Sequence, residues 1–510
     1  MQVLLSIRLY SVIVIQKPLR GYQVGPADAV IQSCLYREGR EFLWIFPRQS
    51  GKDESVAQMC VFLLTLCQRV EAGLVHVYPT GTQTATGVSR LENRLENLWL
   101  GGSWWSKSKP VRRGVGQAQV AFFSGHPQAK AEGATANVLL IINEVQDQDE
   151  SVVERRFTFM RASTNATALY VGTVRTTSDY LWRVKQRLEK LEAEDGLQRV
   201  FIVQADRVGQ ENPAYREFVA NQIRQKGREH PVVKTELFNE PVDVAAGLFP
   251  RRRRQLMQGR HPRLDAPRPG EIYLALVDVG GQDEAAVTAF AELDSPGRDY
   301  TVVTICRVVR DESLIGPRYE VVDVWVDHGS RHFQEFQGRP SLFSRALAYL
   351  GHWGVTAVVS DMTGVGQGVT DALIEKYHRP VFGFDFAKTH NKSRLGNDFL
   401  ATVETGRFVY FADGREDEGT DCWWFFRQAE QCGYELSEGV PIERGMKWGV
   451  KATAKIMALG ELVPVHDDRL LSAALTAEAD RLYREGELFL STGESAVIER
   501  YERDDTNKWS

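Results

Sequence analysis

The chain has 510 residues, of which 25% are charged and 43% apolar, and its formal net charge is −5. That length exceeds one ordinary hydrophobic core and implies two or three domains, while the composition is that of a soluble globular protein rather than a disordered one. The negative balance excludes a globally basic nucleic-acid binder, so any contact with DNA must come from local basic patches.

Residues 1–15 are partly apolar but are interrupted by Arg8 and closed by Lys17 before any small-residue cleavage site, so an opening strand is expected rather than a signal segment. No run approaches the roughly 18 apolar residues of a membrane span, and no membrane partner is expected. An apolar strand is predicted over 42–46 and a buried helix over 56–70. Strands over 74–78, 119–123, 138–142, 168–172 and 199–203 then alternate with helices around 90–98, 180–194 and 213–226. This order predicts a mostly parallel sheet covered by helices.

Over 250–270, Arg251 to Arg254, Arg260, Arg263 and Arg268 are interleaved with Pro250, Pro262, Pro267 and Pro269, the composition of a basic linker or hinge. A second alternating block follows, with strands over 272–279, 286–292, 300–310 and 321–326, a helix over 341–352 and a strand over 357–360. Lys388, His390, Lys392 and Arg394 read as a basic loop before a helix at 395–405, and a last helix is predicted over 469–483. The expected fold class is therefore α/β. A first domain spans 1–249, a linker 250–270, a second mixed domain 271–490 and a tail 491–510. Six cysteines, Cys34, Cys60, Cys67, Cys306, Cys422 and Cys432, form no C-x-x-C pair and no zinc spacing, which suits a reducing cytoplasm.

The most informative run is Phe46-Pro47-Arg48-Gln49-Ser50-Gly51-Lys52-Asp53-Glu54. A Gly-Lys pair between an apolar strand and a long helix is how backbone N–H groups and a lysine ammonium surround nucleotide phosphates. Lys52 is the phosphate-binding candidate, with Arg48, Gln49, Ser50, Gly51 and Asp53 around it. Two positions depart from G-x-x-x-x-G-K-[ST]: the first glycine is missing, and Asp53 stands where Ser or Thr is usual. The other reading of the same residues is a surface turn with an exposed lysine.

The apolar run 138–142 ends in Asn143-Glu144, delivering polar groups to the strand end where ligands bind in open parallel sheets. Glu144 suits the group that orients or deprotonates an attacking water. Asn143 occupies the place of the usual metal-binding aspartate, and Asp53 is expected to compensate for it. Upstream, Tyr22 and Gln23 offer a stacking ring and a base-pairing amide for adenine. Downstream, Thr173 ends the strand over 168–172 and is a candidate sensor of the γ-phosphate.

In the second block, Asp278 ends the strand Tyr273-Leu274-Ala275-Leu276-Val277, Asp361 ends Ala357-Val358-Val359-Ser360, and Asp467-Asp468 open the last helix. A sheet can gather such carboxylates at one edge, where they would hold two Mg²⁺ or Mn²⁺ ions for phosphodiester cleavage. Asp283 is a possible fourth acid, and His466 a possible orienting group.

Together these motifs resemble the large terminase subunit of tailed bacteriophages. The resemblance runs from 19–23, through the arginine-bearing loop 48–52, 141–146 and 172–173, to the junction 236–249 and the acidic motifs at Asp278, Asp361 and Asp467-Asp468. It implies a P-loop ATPase domain followed by a ribonuclease H-like nuclease domain. The implied function is a genome-packaging motor that hydrolyses ATP with Mg²⁺, moves double-stranded DNA into a procapsid and cuts concatemers. The implied catalytic groups are Arg48, Glu144, Asp278, Asp361 and Asp468. The implied partners are DNA, the portal protein, a small terminase subunit and further copies of the chain in a ring. The implied place of action is the cytoplasm of an infected bacterium, and not the mature virion. The family's additional arginine finger has three candidates, Lys130, Arg155 and Arg175. An ATP-dependent helicase or repair translocase fused to a nuclease is the alternative reading.

Overall fold

A computed structural model describes residues 2–128, 134–280, 300–328, 331–335, 338–437 and 439–490. The chain folds as two units. Unit 1 comprises Met1–Ile223 and Pro231–Asp243; unit 2 comprises Arg224–His230 and the chain from Val244 onward.

Unit 1 is built on eight strands: β1 (Glu41–Ile45), β2 (Ala72–Tyr78), β3 (Trp104–Ser108), β4 (Val111–Val115), β5 (Ala118–Ser124), β6 (Leu139–Asn143), β7 (Thr167–Gly172) and β8 (Val200–Ile202). Their order is β3-β4-β5-β2-β6-β7-β1-β8. From β5 to β8 every pairing is parallel, and the β3–β4 hairpin adds an antiparallel edge. Alternate residues of β6 enter opposite cores. Leu139 and Ile141 pack with the helices Gly21–Leu35 and Lys52–Cys67, and Leu140 and Ile142 pack with Tyr180–Asp195. A strand buried on both faces reads as a continuous apolar run, which is why 138–142 looks as it does.

Unit 2 carries a mixed sheet of β9 (Ile272–Asp278), β10 (Thr301–Val309), β11 (Arg318–Asp327), β12 (Ala357–Asp361), β13 (Val381–Phe384) and β14 (Phe408–Tyr410), ordered β13-β12-β9-β10-β11-β14. β13, β12 and β9 are parallel, β10 is antiparallel to both neighbours, and β14 returns parallel to β11. Two hairpins follow, Cys432–Leu436 with Met446–Val450 and Lys455–Ala458 with Glu461–Pro464. The α/β class and the two sheets are those expected.

Several local expectations are corrected. The opening segment is a helix, Ile7–Ile13, not a strand: Ile7, Tyr10, Ser11 and Val14 are buried at helical spacing, and Ser6 caps the N-terminus. The basic stretch 250–270 is not a linker. The helix Arg251–Leu256 belongs to unit 2, where Arg253 is buried and donates to Glu404 Oε1 at 2.7 Å, the Leu248 carbonyl at 2.7 Å and the Glu229 carbonyl at 3.0 Å. The boundary between the main segments falls at Asp243/Val244, ahead of the expected 249. Lys388 stands at the N-cap position of the helix Thr389–Glu404, so His390, Lys392 and Arg394 lie within a helix rather than a loop. The last expected helix is two, Asp468–Ala474 and Thr476–Arg484. The strand expected over 286–292, Asp283, Lys130 and the tail 491–510 lie outside the described residues.

Candidate functional site

β6, β7 and β1 are adjacent and parallel, so their C-terminal ends open on one side of the unit 1 sheet. The loop after β1 turns sharply there, with Gln49 at φ +63° and Gly51 at φ +89°. Glycine is required at 51, because a Cβ there would stand 2.7 Å from Gln23 Nε2. Lys52 then starts its helix with the side chain buried between two strand ends: Nζ lies 2.9 Å from Glu144 and donates to Thr173 Oγ1 at 3.0 Å. Burial pulls the ammonium's pKa down, but Glu144 and Asp53 beside it outweigh this and hold it raised.

Glu144 itself sits in the left-handed region at φ +47°, a conformation that costs a non-glycine residue roughly 1–3 kcal/mol. Its contacts hold it there. Gln146 Nε2 donates to its carboxylate at 2.6 Å, while Gln146 Oε1 accepts from the Thr173 amide at 3.1 Å. One glutamine thus links the ends of β6 and β7.

Asp53 lies beside Asn143, as expected from the sequence. Asn143 Nδ2 donates to Asp53 Oδ1 at 3.1 Å, and Arg90 Nη1 stands 3.0 Å from Asp53 Oδ2. The amide orientation leaves Asn143 Oδ1 buried without a donor, and Asn143 is only 2% exposed. A buried carbonyl oxygen beside a carboxylate is the donor set of a hard cation or an ordered water. Asp53 and Asn143 carry oxygen donors of the kind Mg²⁺ takes, with the amide nitrogen of Asn143 turned to Asp53.

Arg48, Gln49, Gly51, Lys52, Asp53 and Glu144 line one cleft of about 840 Å³. The Arg48 head is 59% exposed and 3.9 Å from Glu236, while its backbone is clamped by the Glu236 carbonyl at 2.7 Å and the Tyr215 hydroxyl at 3.0 Å. Ser50 is turned inward, its hydroxyl donating to the Pro47 carbonyl at 2.6 Å.

Tyr22 and Gln23 are a correction to the adenine reading. They are 6% and 3% exposed, and both are spent on the loop. Tyr22 donates to the Ser50 carbonyl at 2.7 Å, and Gln23 Nε2 to the carbonyls of Ser50 at 3.3 Å and Gly51 at 3.1 Å. Gln23 Oε1 accepts from the Arg20 amide at 2.8 Å, closing a capping box whose four-residue spacing is visible in the sequence. Of the finger candidates, Arg175 is paired with Asp147 at 2.7 Å and Arg155 is exposed. Arg90 and Arg94, which line the cleft from the helix Gly81–Leu95, were not singled out from the sequence.

In unit 2, β12 pairs with β9 in register Ser360↔Val277, so Asp361 and Asp278 end neighbouring strands side by side. The helix Asp468–Ala474 lies over them. Ser472 Oγ donates to the Leu276 carbonyl at 2.9 Å, which docks the helix that begins with Asp468 on β9. All three carboxylates are buried. Burial pushes the Asp361 carboxyl up to about 6; the Thr363 hydrogen bonds oppose this and Asp385 adds to it. Asp385 follows β13 directly and is a further acid at this edge, carried by no sequence motif.

The expected metal set is narrowed. Asp467 is turned to the first hairpin, where its Oδ2 accepts from the Val450 amide at 3.2 Å. Among the described residues no three acidic, histidine or cysteine side chains stand close enough together to hold a metal ion. Strand register sets Asp278 and Asp361 side by side, and among the described residues no ligand set closes around them. His466 packs edge-on to Tyr300, with ring centroids 6.4 Å apart.

No family model and no curated protein matches the sequence. Among solved structures, the large terminase of a thermophilic bacteriophage aligns over 91% of this chain and 99% of its own, with 13% identity and a TM-score of 0.41. The large terminase of bacteriophage HK97 covers 91% of this chain and 96% of its own at 13% identity and a TM-score of 0.36. The large terminase nuclease of the thermophilic phage G20c, with bound magnesium, covers 46% of this chain and 96% of its own at 14% identity and a TM-score of 0.30. These neighbours are large terminase structures, the family that the sequence motifs resemble, at low identity and low TM-score.

Proposed function

We propose that the chain is an ATP-driven motor that moves double-stranded DNA into a viral procapsid and cuts it with its second unit. The observation that carries this is Lys52, held at the sheet's C-terminal edge between Glu144 and Thr173, with Asp53 and Asn143 beside it. A surface turn with an exposed lysine would not bury that ammonium in contact with two strand ends.

Lys52 stays cationic and can exchange Glu144 for the phosphate oxygens of ATP. That exchange frees the Glu144 carboxylate to accept a proton from the attacking water, with Gln146 retaining one of its oxygens. Asp53 and the Asn143 carbonyl oxygen are the groups that would hold Mg²⁺, which supplies neutralisation of the developing phosphate charge. Thr173 and Gln146 tie the site to β7, so loss of the phosphate contact reaches a second strand end. Tyr22 and Gln23 act by bracing the loop carbonyls, and Ser50 by closing the turn.

Unit 2 is the cleaving half, with Asp278, Asp361 and Asp468 as the groups on which divalent-metal-dependent cutting depends and Asp467 as a support of the hairpin. The partners of this reading are the portal protein, a small terminase subunit and further copies of the chain in a ring, within an infected bacterium.

The test separates the two halves. Lys52→Ala and Glu144→Ala should abolish ATP hydrolysis and packaging while plasmid cutting survives; Asp361→Ala should abolish cutting and spare hydrolysis. Stimulation of the ATPase by portal-bearing procapsids supports the motor. Strand separation without such stimulation would replace it with a helicase, and Mg²⁺- or Mn²⁺-dependent cutting that survives Asp361→Ala would remove the nuclease assignment.

A further inference from the structure

The helix Arg251–Leu256, the 411–419 loop and the C-terminal half of the helix Asp421–Gln431 enclose a pocket of about 240 Å³ that shares no residue with the acidic edge. Arg251, Arg254, Arg415 and Arg427 line it against Glu416 and Glu430, four positive charges to two negative, an excess of two. In a chain whose net charge is −5, this is a local concentration of cation.

The partners of these arginines are mostly accounted for. Glu430 takes Arg254 Nη2 at 2.9 Å and Arg427 Nη1 at 2.5 Å. Arg415 Nη2 donates to the carbonyls of Gly259 at 2.8 Å and Phe411 at 3.2 Å. The Arg415 guanidinium lies 5.4 Å from the Phe426 ring centroid, and that of Arg427 lies 5.4 Å from the Trp423 ring centroid. These contacts fix both planes. Arg415 also hydrogen-bonds the Cys422 side chain. Two fixed guanidinium groups at one pocket with surplus positive charge suit an anion with several acceptor oxygens.

We propose that this pocket binds a phosphate group. A tetrahedral oxyanion carries acceptors in several directions and suits the planar forks of two fixed guanidinium groups. Two sources share this chemistry: a phosphodiester of a nucleic-acid strand, and free phosphate or a nucleotide.

The test uses the full chain in a Lys52→Ala background, which removes the phosphate contact of unit 1, and calorimetric titration with inorganic phosphate, ADP and a short oligothymidylate without terminal phosphates. Phosphate should bind, and Arg415→Gln and Arg427→Gln should each weaken it about tenfold. Glu416 is exposed, so Glu416→Gln removes an opposing charge without touching the core; it should tighten phosphate binding roughly threefold. Oligothymidylate binding that falls in the same arginine variants identifies the strand backbone as the source, and binding of phosphate or ADP alone identifies a free anion. No phosphate binding in the Lys52→Ala chain, unchanged affinity in both arginine variants, or no tightening in Glu416→Gln would overturn the site.

Discussion

Replacing Asn143 with aspartate puts a second carboxylate against Asp53, and its cost can be worked from the structure. The native amide donates to Asp53 Oδ1 at 3.1 Å. Losing that charge-assisted hydrogen bond removes roughly 1.5–3 kcal/mol. Two like charges at that separation repel by about 5 kcal/mol at an effective dielectric near 20. Arg90, 3.0 Å from the other Asp53 oxygen, and a proton shared by the pair offset part of this, so a local loss of about 3 kcal/mol is expected at β6. Asp53→Thr alone should cost about 1 kcal/mol, since a hydroxyl can still meet the Asn143 amide. In the double variant one carboxylate is again alone, and the loss should return to about 1 kcal/mol, a coupling near −3 kcal/mol. Amide hydrogen exchange on peptides covering Leu139–Asn143, measured without nucleotide, reads the local opening free energy. The pH sign is fixed: in Asn143→Asp the folded pair holds a proton above the usual carboxylate range, so the loss is largest at high pH and recedes as pH falls. ATP hydrolysis should be absent in each single variant and recovered in the double. Additivity within about 0.5 kcal/mol, or a single variant most destabilised at low pH, would refute the exchange of roles between Asp53 and Asn143.

Gly51→Ala forces a side chain into a φ of +89° and against Gln23 Nε2, costing about 1–2 kcal/mol in the backbone alone; equilibrium binding should show weaker ATP affinity, partly restored by adding Gln23→Ala. His76 and His230 are buried, and burial lowers each to about 3. Their neutral forms are folded at pH 7, while the unfolded chain takes up a proton below about 6.5, so stability is full above that value and is lost as pH falls. By pH 5 the loss reaches about 2 kcal/mol for each histidine; His76 packs against Tyr78 and stacks on Phe122, and His76→Phe should flatten the unit 1 part of the thermal-unfolding slope. An unchanged slope would contradict a neutral His76. Arg407 and Asp480 form a buried pair at 2.6 Å, so Arg407→Met should destabilise unit 2 by about 3–5 kcal/mol in urea unfolding.

What the sequence discloses is what is local. Gly51-Lys52 sits between a strand and a helix that neighbouring residues specify, and the run ending at Asn143-Glu144 is apolar because β6 is buried on both faces. The arginines of 251–254 look solvated because their acceptors, Glu404 and the Glu229 carbonyl, are distant in sequence. The helix expected to begin at Arg90 begins at Gly81, which places Arg90 facing Asp53. Tyr22 and Gln23 have the right chemistry for a base, and only the packing shows those groups already used. Asp385 was hidden because β13 is short, with glycine inside it and no alternation of apolar residues.

The acidic edge of unit 2 depends on more than its carboxylates. Asp278 and Asp361 are set by strand register, which is cooperative and hard to shift by one residue. Asp468 is set by the docking of a seven-residue helix, too short to hold its own geometry in isolation. That docking rests on named contacts. Ser472 bonds the Leu276 carbonyl and the Thr304 hydroxyl, Gln428 Oε1 accepts from the Leu470 amide at 3.0 Å, and Arg469 pairs with Asp421 at 2.8 Å. The helix Asp421–Gln431 provides two of these contacts and also carries Arg427 and Glu430 of the arginine pocket. Losses that move Asp468 relative to β9 should therefore arise at Ser472 and Gln428, positions with no acid of their own. Cutting should be more sensitive to them than overall stability is.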